Sequence, residues 1–243
     1  MDLTFYIGII IFILIIIQTI AGVGILVIGT PVLLFLNYEF IELLYILLPI
    51  SILTSFANIL HFKYIKKRKQ LIDNNTKKQF FIITVPSVFI GMMLITLMED
   101  TINFDYLVSS VIIISIILTY NKKLFNFNNL KTKLIILHVT GVIHGLSNSG
   151  GTLLSLFISS NKNKNNSVYH IHYFYFSLAL LQYIFLIIIF GTNFNVFDYS
   201  YVVLIMPVII LIGNSLYEKV NEDKFKQTIK IIAIVSCIFL LSK

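Results

Sequence analysis

Residues 140–156 read TGVIHGLSNSGGTLLSL. It lies inside a long apolar run, yet it holds Gly141, Gly145, Gly150 and Gly151 beside the polar residues His144, Ser147, Asn148, Ser149 and Thr152. Glycine loosens the backbone and disfavours helix, so a helix is expected to break here and leave peptide groups without partners. In hydrocarbon such groups persist only where protein or a wet cavity covers them. The stretch is therefore read as the working site of a membrane protein.

Composition agrees. Of the 243 residues, 58% are hydrophobic and 12% charged. The mean hydropathy is +0.92, outside the range of water-soluble domains. Polar residues cluster between apolar segments long enough for bilayer-crossing helices, without the alternation of a transmembrane barrel. The start, MDLTFYIG, lacks a basic region, so the first apolar segment is expected to stay in the mature protein. Cys237 is the single cysteine, which rules out an intrachain disulfide and cysteine-cluster metal sites. The net charge of +7 is what basic loops give an inner-membrane protein and does not point to nucleic acid.

The expected fold is an all-α integral membrane protein with eight hydrophobic blocks: Thr4–Leu36, Ile41–Leu60, Phe80–Met98, Tyr106–Tyr120, Leu134–Ile158, Ile171–Phe190, Tyr199–Leu216 and Phe225–Leu241. Blocks one and five are broken, at AGVGILVIGTP (residues 21–31) and at HGLSNSGGT (residues 144–152). Sliding the chain by 121 residues pairs Thr19 with Thr140, Gly24 with Gly145, Gly29 with Gly150, Pro86 with Pro207 and Phe104 with Phe225. One constant offset predicts a duplication, with residues 1–123 and 124–243 as the two membrane repeats and Asn121–Leu130 linking them.

Basic residues bear on how the broken blocks run. If both cross once, 12 Lys and Arg fall on the cytoplasmic side and 6 outside. If block five dips in and returns, the division becomes 17 to 1, which the positive-inside rule prefers. The first block has no basic residue before it, so its re-entrant geometry is carried over from the fifth. Each half then holds one re-entrant hairpin and three crossings, and two such halves are inverted relative to one another.

Three segments resemble the TauE/SafE family of bacterial permeases, the sulfite exporter family. They are QTIAGVGILVIGTPVLLFL (Gln18–Leu36), GVIHGLSNSGGTLLSL (Gly141–Leu156) and PVIILIGNSLYEKVNEDKFKQTIKIIAIVSCIFLL (Pro207–Leu241), in which Pro207, Gly213 and Phe225 look like the family's closing pattern. The chain departs from that pattern where Val23 separates Gly22 from Gly24 and where Thr152 follows Gly151. The resemblance implies a multi-pass protein of the bacterial inner membrane that exports sulfite, sulfoacetate or a related organosulfur or organic anion by alternating access. The alternative is a non-transporting membrane assembly or maturation factor, its glycines serving helix packing.

At the site, facing hairpin tips would present helix amino termini, whose free N–H groups and positive dipole ends favour anions. Gly24, Gly29, Gly145, Gly150 and Gly151 would let the backbone approach a small anionic substrate. Ser147, Asn148, Ser149 and Thr152 would add neutral donors, with Thr30 from the first copy. Pro31 is placed at the start of a second half-helix, where no N–H is needed. His144 is the ionisable group inside the stretch and either couples transport to protons or packs. Against the site reading stands close helix packing through the GxxxG spacing of Gly141 and Gly145.

Gln18, Asn58, His61 and Asn214 are candidates to line the path, as is Gln182, with helix-to-helix hydrogen bonds as the competing account. His138 reads as structural. His170 and His172, with Tyr169 and Tyr173, read as interfacial anchors, since two residues apart on a helix they make a poor metal pair. Gly145–Thr152 approaches a phosphate-binding loop, but Gly151 stands where its lysine is required. No metal, cofactor, nucleic-acid partner or enzymatic activity is expected. The partners are the lipid bilayer and the anion, with self-association left open.

Overall fold

The computed structural model describes residues 3–66, 72, 74–98, 101, 103–119, 129–191 and 200–241. The expected linker lies, up to residue 128, outside them. Ten α-helices fill the described residues. The first half has α1 (Leu3–Ala21), α2 (Ile25–Phe35), α3 (Phe40–Leu60, continued by a π-helical turn at His61–Ile65), α4 (Asn74–Met98) and α5 (Phe104–Thr119). The second has α6 (Leu130–Ser147), α7 (Gly150–Asn161), α8 (Lys164–Phe190), α9 (Ser200–Lys219) and α10 (Glu222–Leu241). Four helices are long and apolar enough to cross a membrane, within α3 with its π turn, α4, α8 and α9.

The eight apolar blocks become ten helices because blocks one and five each break once, at residues 22–24 and 148–149. Both breaks use a left-handed residue, Gly22 at φ 77° and Asn148 at φ 57°. Each reverses the chain. A Cβ on Gly29 would lie 3.1 Å from Leu14 Cδ1, and one on Gly150 would lie 2.6 Å from His144 N and overlap the Thr140 carbonyl oxygen. Along a straight helix, residues 140 and 150 would stand about 15 Å apart. The short arms α2 and α7, with 11 and 12 residues, reach about 16–18 Å, roughly half the hydrocarbon thickness.

Contacts at the helix ends fix which termini lie together. Lys133 Nζ donates to Thr76 Oγ1 at 2.6 Å, Lys164 Nζ to the Tyr217 carbonyl at 2.7 Å, and Lys66 pairs with Glu218. The second hairpin, α6–α7, therefore starts and finishes at one end of the bundle. At the opposite end Phe40 stacks on Phe104 with centroids 4.1 Å apart, and Tyr45 Oη donates to the Gly191 carbonyl at 2.5 Å.

The packing between halves comes in reciprocal sets. Helix α4 packs along α6 and α9 along α1; α10 meets α2 and α5 meets α7; α3 packs on α8. Backbones approach closely where Gly91 faces Gly145 and Gly213 faces Thr19, so that a Cβ on Gly91 would overlap the Val142 carbonyl and one on Gly213 would lie 2.7 Å from Thr19 Cβ. Gly141 lies against Ser87, so the GxxxG pair Gly141 and Gly145 serves the α4–α6 contact.

The bundle is apolar outside and polar within. Val208, Leu211, Ile231 and Ile238 are exposed, whereas Gln18, Asn58, Thr30, His144, Asn148 and Gln182 are wholly buried. Soluble domains reverse this. Lipid accounts for it, since it solvates apolar side chains and leaves polar ones to find partners inside.

Candidate functional site

At the first tip the buried amide side chains are bonded. Gln18, on the last turn of α1, donates through Nε2 to Ser55 Oγ at 2.9 Å and to the Ser51 carbonyl at 3.4 Å, while its Oε1 accepts from Ile25 N at 3.2 Å. That last bond caps the amino terminus of α2 from outside the helix. Asn58 Nδ2 donates to Thr19 Oγ1 at 3.1 Å and to the Thr54 carbonyl at 2.9 Å, and Asn214 Nδ2 reaches Asn58 Oδ1 at 3.2 Å. Gln18, Asn58 and Asn214 thus hold α1, α3 and α9 together through hydrogen bonds. His61 is placed apart from the tips, lining an outward apolar groove of about 540 Å³ with Leu53, Phe56, Leu60, Met206 and Ile210.

Helix α2 begins at Ile25, so Gly29, Thr30 and Pro31 sit in its interior rather than at its start. The expectation that Pro31 opens a half-helix is corrected, because the break falls earlier, at residues 22–24, where Gly22 turns the chain and Gln18 caps Ile25. Gly29 lies against Leu47 of α3, a packing position.

The second tip is less satisfied. Ser147 and Ser149 bond locally, to the Ile143 and Ser147 carbonyls. No side chain caps α7. Asn148 Nδ2 donates to Thr30 Oγ1 at 2.8 Å, which joins the second tip to α2. Gln182 Nε2 donates to the His144 carbonyl at 3.2 Å. Both ring nitrogens of His144, Asn148 Oδ1, Thr140 Oγ1, Thr152 Oγ1 and Gln182 Oε1 are buried without a hydrogen-bond partner. Tyr175, fully buried on α8, brings its hydroxyl so close to Gly151 that a Cβ there would overlap it. Gly151 thus gives close approach to the phenol, and Tyr175 carries no sequence signal that singles it out.

Three further histidines sort by geometry. His138 Nδ1 meets Ser87 Oγ at 2.7 Å and His170 Nδ1 the Asn166 carbonyl at 2.7 Å, both structural. His172 is corrected: it is not an interfacial anchor but wholly buried, its ring centroid 6.3 Å from that of Phe62. Among the described residues no group of three or more His, Cys, Asp or Glu is placed to hold a metal ion.

The local geometry of the two turns corresponds at an offset other than 121. Gly24 approaches Gln18 N and the Leu14 carbonyl as Gly150 approaches His144 N and the Thr140 carbonyl. Gly22 N donates to the Gln18 carbonyl and Asn148 N to the His144 carbonyl. Geometry thus pairs Gly24 with Gly150 and Gln18 with His144, not Gly24 with Gly145. The offset shortens again farther on, where Gly91 and Gly213 occupy matching contacts.

A protein-family model described as Sulfite exporter TauE/SafE matches residues 7–240. Searches of curated proteins and of solved structures return no match.

Proposed function

Because the chain belongs to the sulfite exporter TauE/SafE family, it is a multi-pass membrane protein that carries a small anion across the bilayer, and we propose that it does so as two inverted repeats, residues 1–123 and 124–243. Each repeat contributes a re-entrant hairpin, α1–α2 or α6–α7, and three crossing helices. The reciprocal packing of α4 on α6 and α9 on α1 supports this plan. So does the clustering of Lys66, Lys133 and Lys164 at one end, which the positive-inside rule makes cytoplasmic.

The observation that carries the site assignment is the Asn148–Thr30 hydrogen bond, which brings the two hairpins together inside the bundle. Beside Asn148 stand His144, Ser147, Ser149, Gly150, Gly151 and Thr152, small or neutral groups at the amino terminus of α7. Such a set holds an oxyanion by dipole and hydrogen bond without a buried Lys or Arg that would resist release. All of them are buried, so loading requires one repeat to rock against the other. The substrate is sulfite or an organosulfonate such as sulfoacetate, moved outward. The driving force is the membrane potential or a proton carried by His144.

The test is flux through purified protein in lipid vesicles, with sulfite, sulfoacetate and sulfate as solutes. Sulfite or sulfoacetate should cross faster than in empty vesicles, and Asn148→Gly, which keeps the left-handed turn, should lose that flux at an unchanged reconstitution yield. Equal rates with and without protein for all three solutes would overturn the reading.

A further inference from the structure

The two hairpins share one backbone plan but not one set of residues. Matching Gly24 with Gly150 places Leu14 opposite Thr140, Gln18 opposite His144, Gly22 opposite Asn148 and Leu26 opposite Thr152. These positions are four apart in sequence and recur turn by turn along each hairpin. In the first hairpin two of them are leucine, one is glycine, and the single polar side chain, Gln18, is bonded through both its oxygen and its nitrogen. In the second hairpin all four carry a buried polar atom without a partner: Thr140 Oγ1, His144 Nδ1 and Nε2, Asn148 Oδ1 and Thr152 Oγ1. None of the four residues is more than 1% exposed.

An unpaired polar atom inside a protein is destabilising, and native structures hold few of them. The first hairpin makes the same reversal without any at these positions, so the fold does not require the second hairpin's set. The first hairpin also shows what a side chain at the His144 position can reach, because Gln18 Oε1 accepts from the first amide of α2. Gly150, the first residue of α7, lies correspondingly against His144 N and Cβ.

We infer that the anion site belongs to the second hairpin alone: a small oxyanion is held at the amino terminus of α7 among Thr140, His144 and Thr152, while Gln18 permanently fills the matching place at α2. The inference rests on the transport reading above and divides its labour, the first hairpin scaffolding and the second binding. The threonine hydroxyls and an imidazole N–H are the donors that an oxyanion's oxygens accept from. His144 is then a specificity-determining residue, since a side chain that can fold its own carbonyl oxygen onto α7 would compete with the ligand.

The experiment follows thermal unfolding of the full-length protein in detergent, with and without sodium sulfite at constant ionic strength, for wild type, His144→Gln, Thr140→Leu and Thr152→Leu. Each variant copies the first hairpin at one position. Sulfite should raise the wild-type Tm. His144→Gln should melt higher than wild type without sulfite and lose the sulfite-induced rise, and the two leucine variants should each lose most of it. A full-sized rise in all three variants overturns the inference and leaves the transport reading standing. No rise in the wild type with sulfite, sulfoacetate or sulfate overturns both.

Discussion

The side-chain amide of Asn148 donates to Thr30 Oγ1 at 2.8 Å, a buried bond between residues 118 apart in sequence. It ties the turn of one hairpin to the short arm of the other. Asn148 itself holds φ 57°, as Gly22 holds φ 77° at the matching place. Asn148→Gly therefore keeps the turn and removes the amide. Its expected cost is about 1 kcal/mol in stability, the net worth of one buried hydrogen bond. Anion flux in vesicles should fall at least several-fold, and flux at the wild-type level would show the bond to be dispensable.

Gly91 and Gly191 separate two kinds of glycine. A Cβ on Gly91 would overlap the Val142 carbonyl and lie 2.8 Å from Leu146 N, so Gly91→Ala must push α4 from α6, at about 1–3 kcal/mol. A Cβ on Gly191 would meet nothing within 4 Å, but the residue holds φ 81° and ψ −170°, a conformation open almost only to glycine, so Gly191→Ala costs only backbone strain, about 1–3 kcal/mol. Thermal unfolding should show both variants destabilised, but Gly91→Ala should lower anion flux as well, whereas Gly191→Ala should keep it.

Lys164 donates to the Tyr217 and Val220 carbonyls at the end of α9 and lies 4.0 Å from the Tyr217 ring centroid. It closes a helix carboxyl terminus with charge of the favourable sign. Lys164→Met is expected to lose about 2 kcal/mol, since hydrogen bonds from charged groups are the stronger ones. Lys66→Ala breaks an ion pair whose side chains are 32% and 47% exposed, and its cost should stay within about 1 kcal/mol. Equal losses would contradict the geometry.

Val208 is 60% exposed in the middle of α9. On a water-facing helix Val208→Arg would change stability by about 0.5 kcal/mol or less. Facing lipid at mid-helix, it should cost about 2.5–3.5 kcal/mol and lower the amount of protein recovered in the membrane. Undiminished recovery would count against a lipid-facing surface there.

The inverted arrangement is checked by labelling single cysteines in a Cys237→Ala background. A cysteine replacing Lys219 should react only from the cytoplasmic side and one replacing Glu39 only from outside. Labelling of both from the same side would remove the inverted plan.

The two breaks were legible because glycines and amides interrupt apolar runs where nothing else explains them. Gln18, Asn58 and Asn214 could be picked out as polar residues in hydrocarbon, though only coordinates show that they bond to helices around the first tip. The tip register was not legible. Leucine against threonine and glutamine against histidine leave no identity to align, and the spurious match of Gly24 with Gly145 prevails by default. His172 was misread because tyrosines and histidines near a segment's end look interfacial, and sequence cannot tell that this face of α8 turns inward.

Gly91 on Gly145 and Gly213 on Thr19 mean that each hairpin is gripped by a helix from the other half of the chain. Each hairpin leans for its packing on the half of the chain to which it does not belong. The present chain should tolerate being cut between residues 121 and 128 only when both pieces are made together.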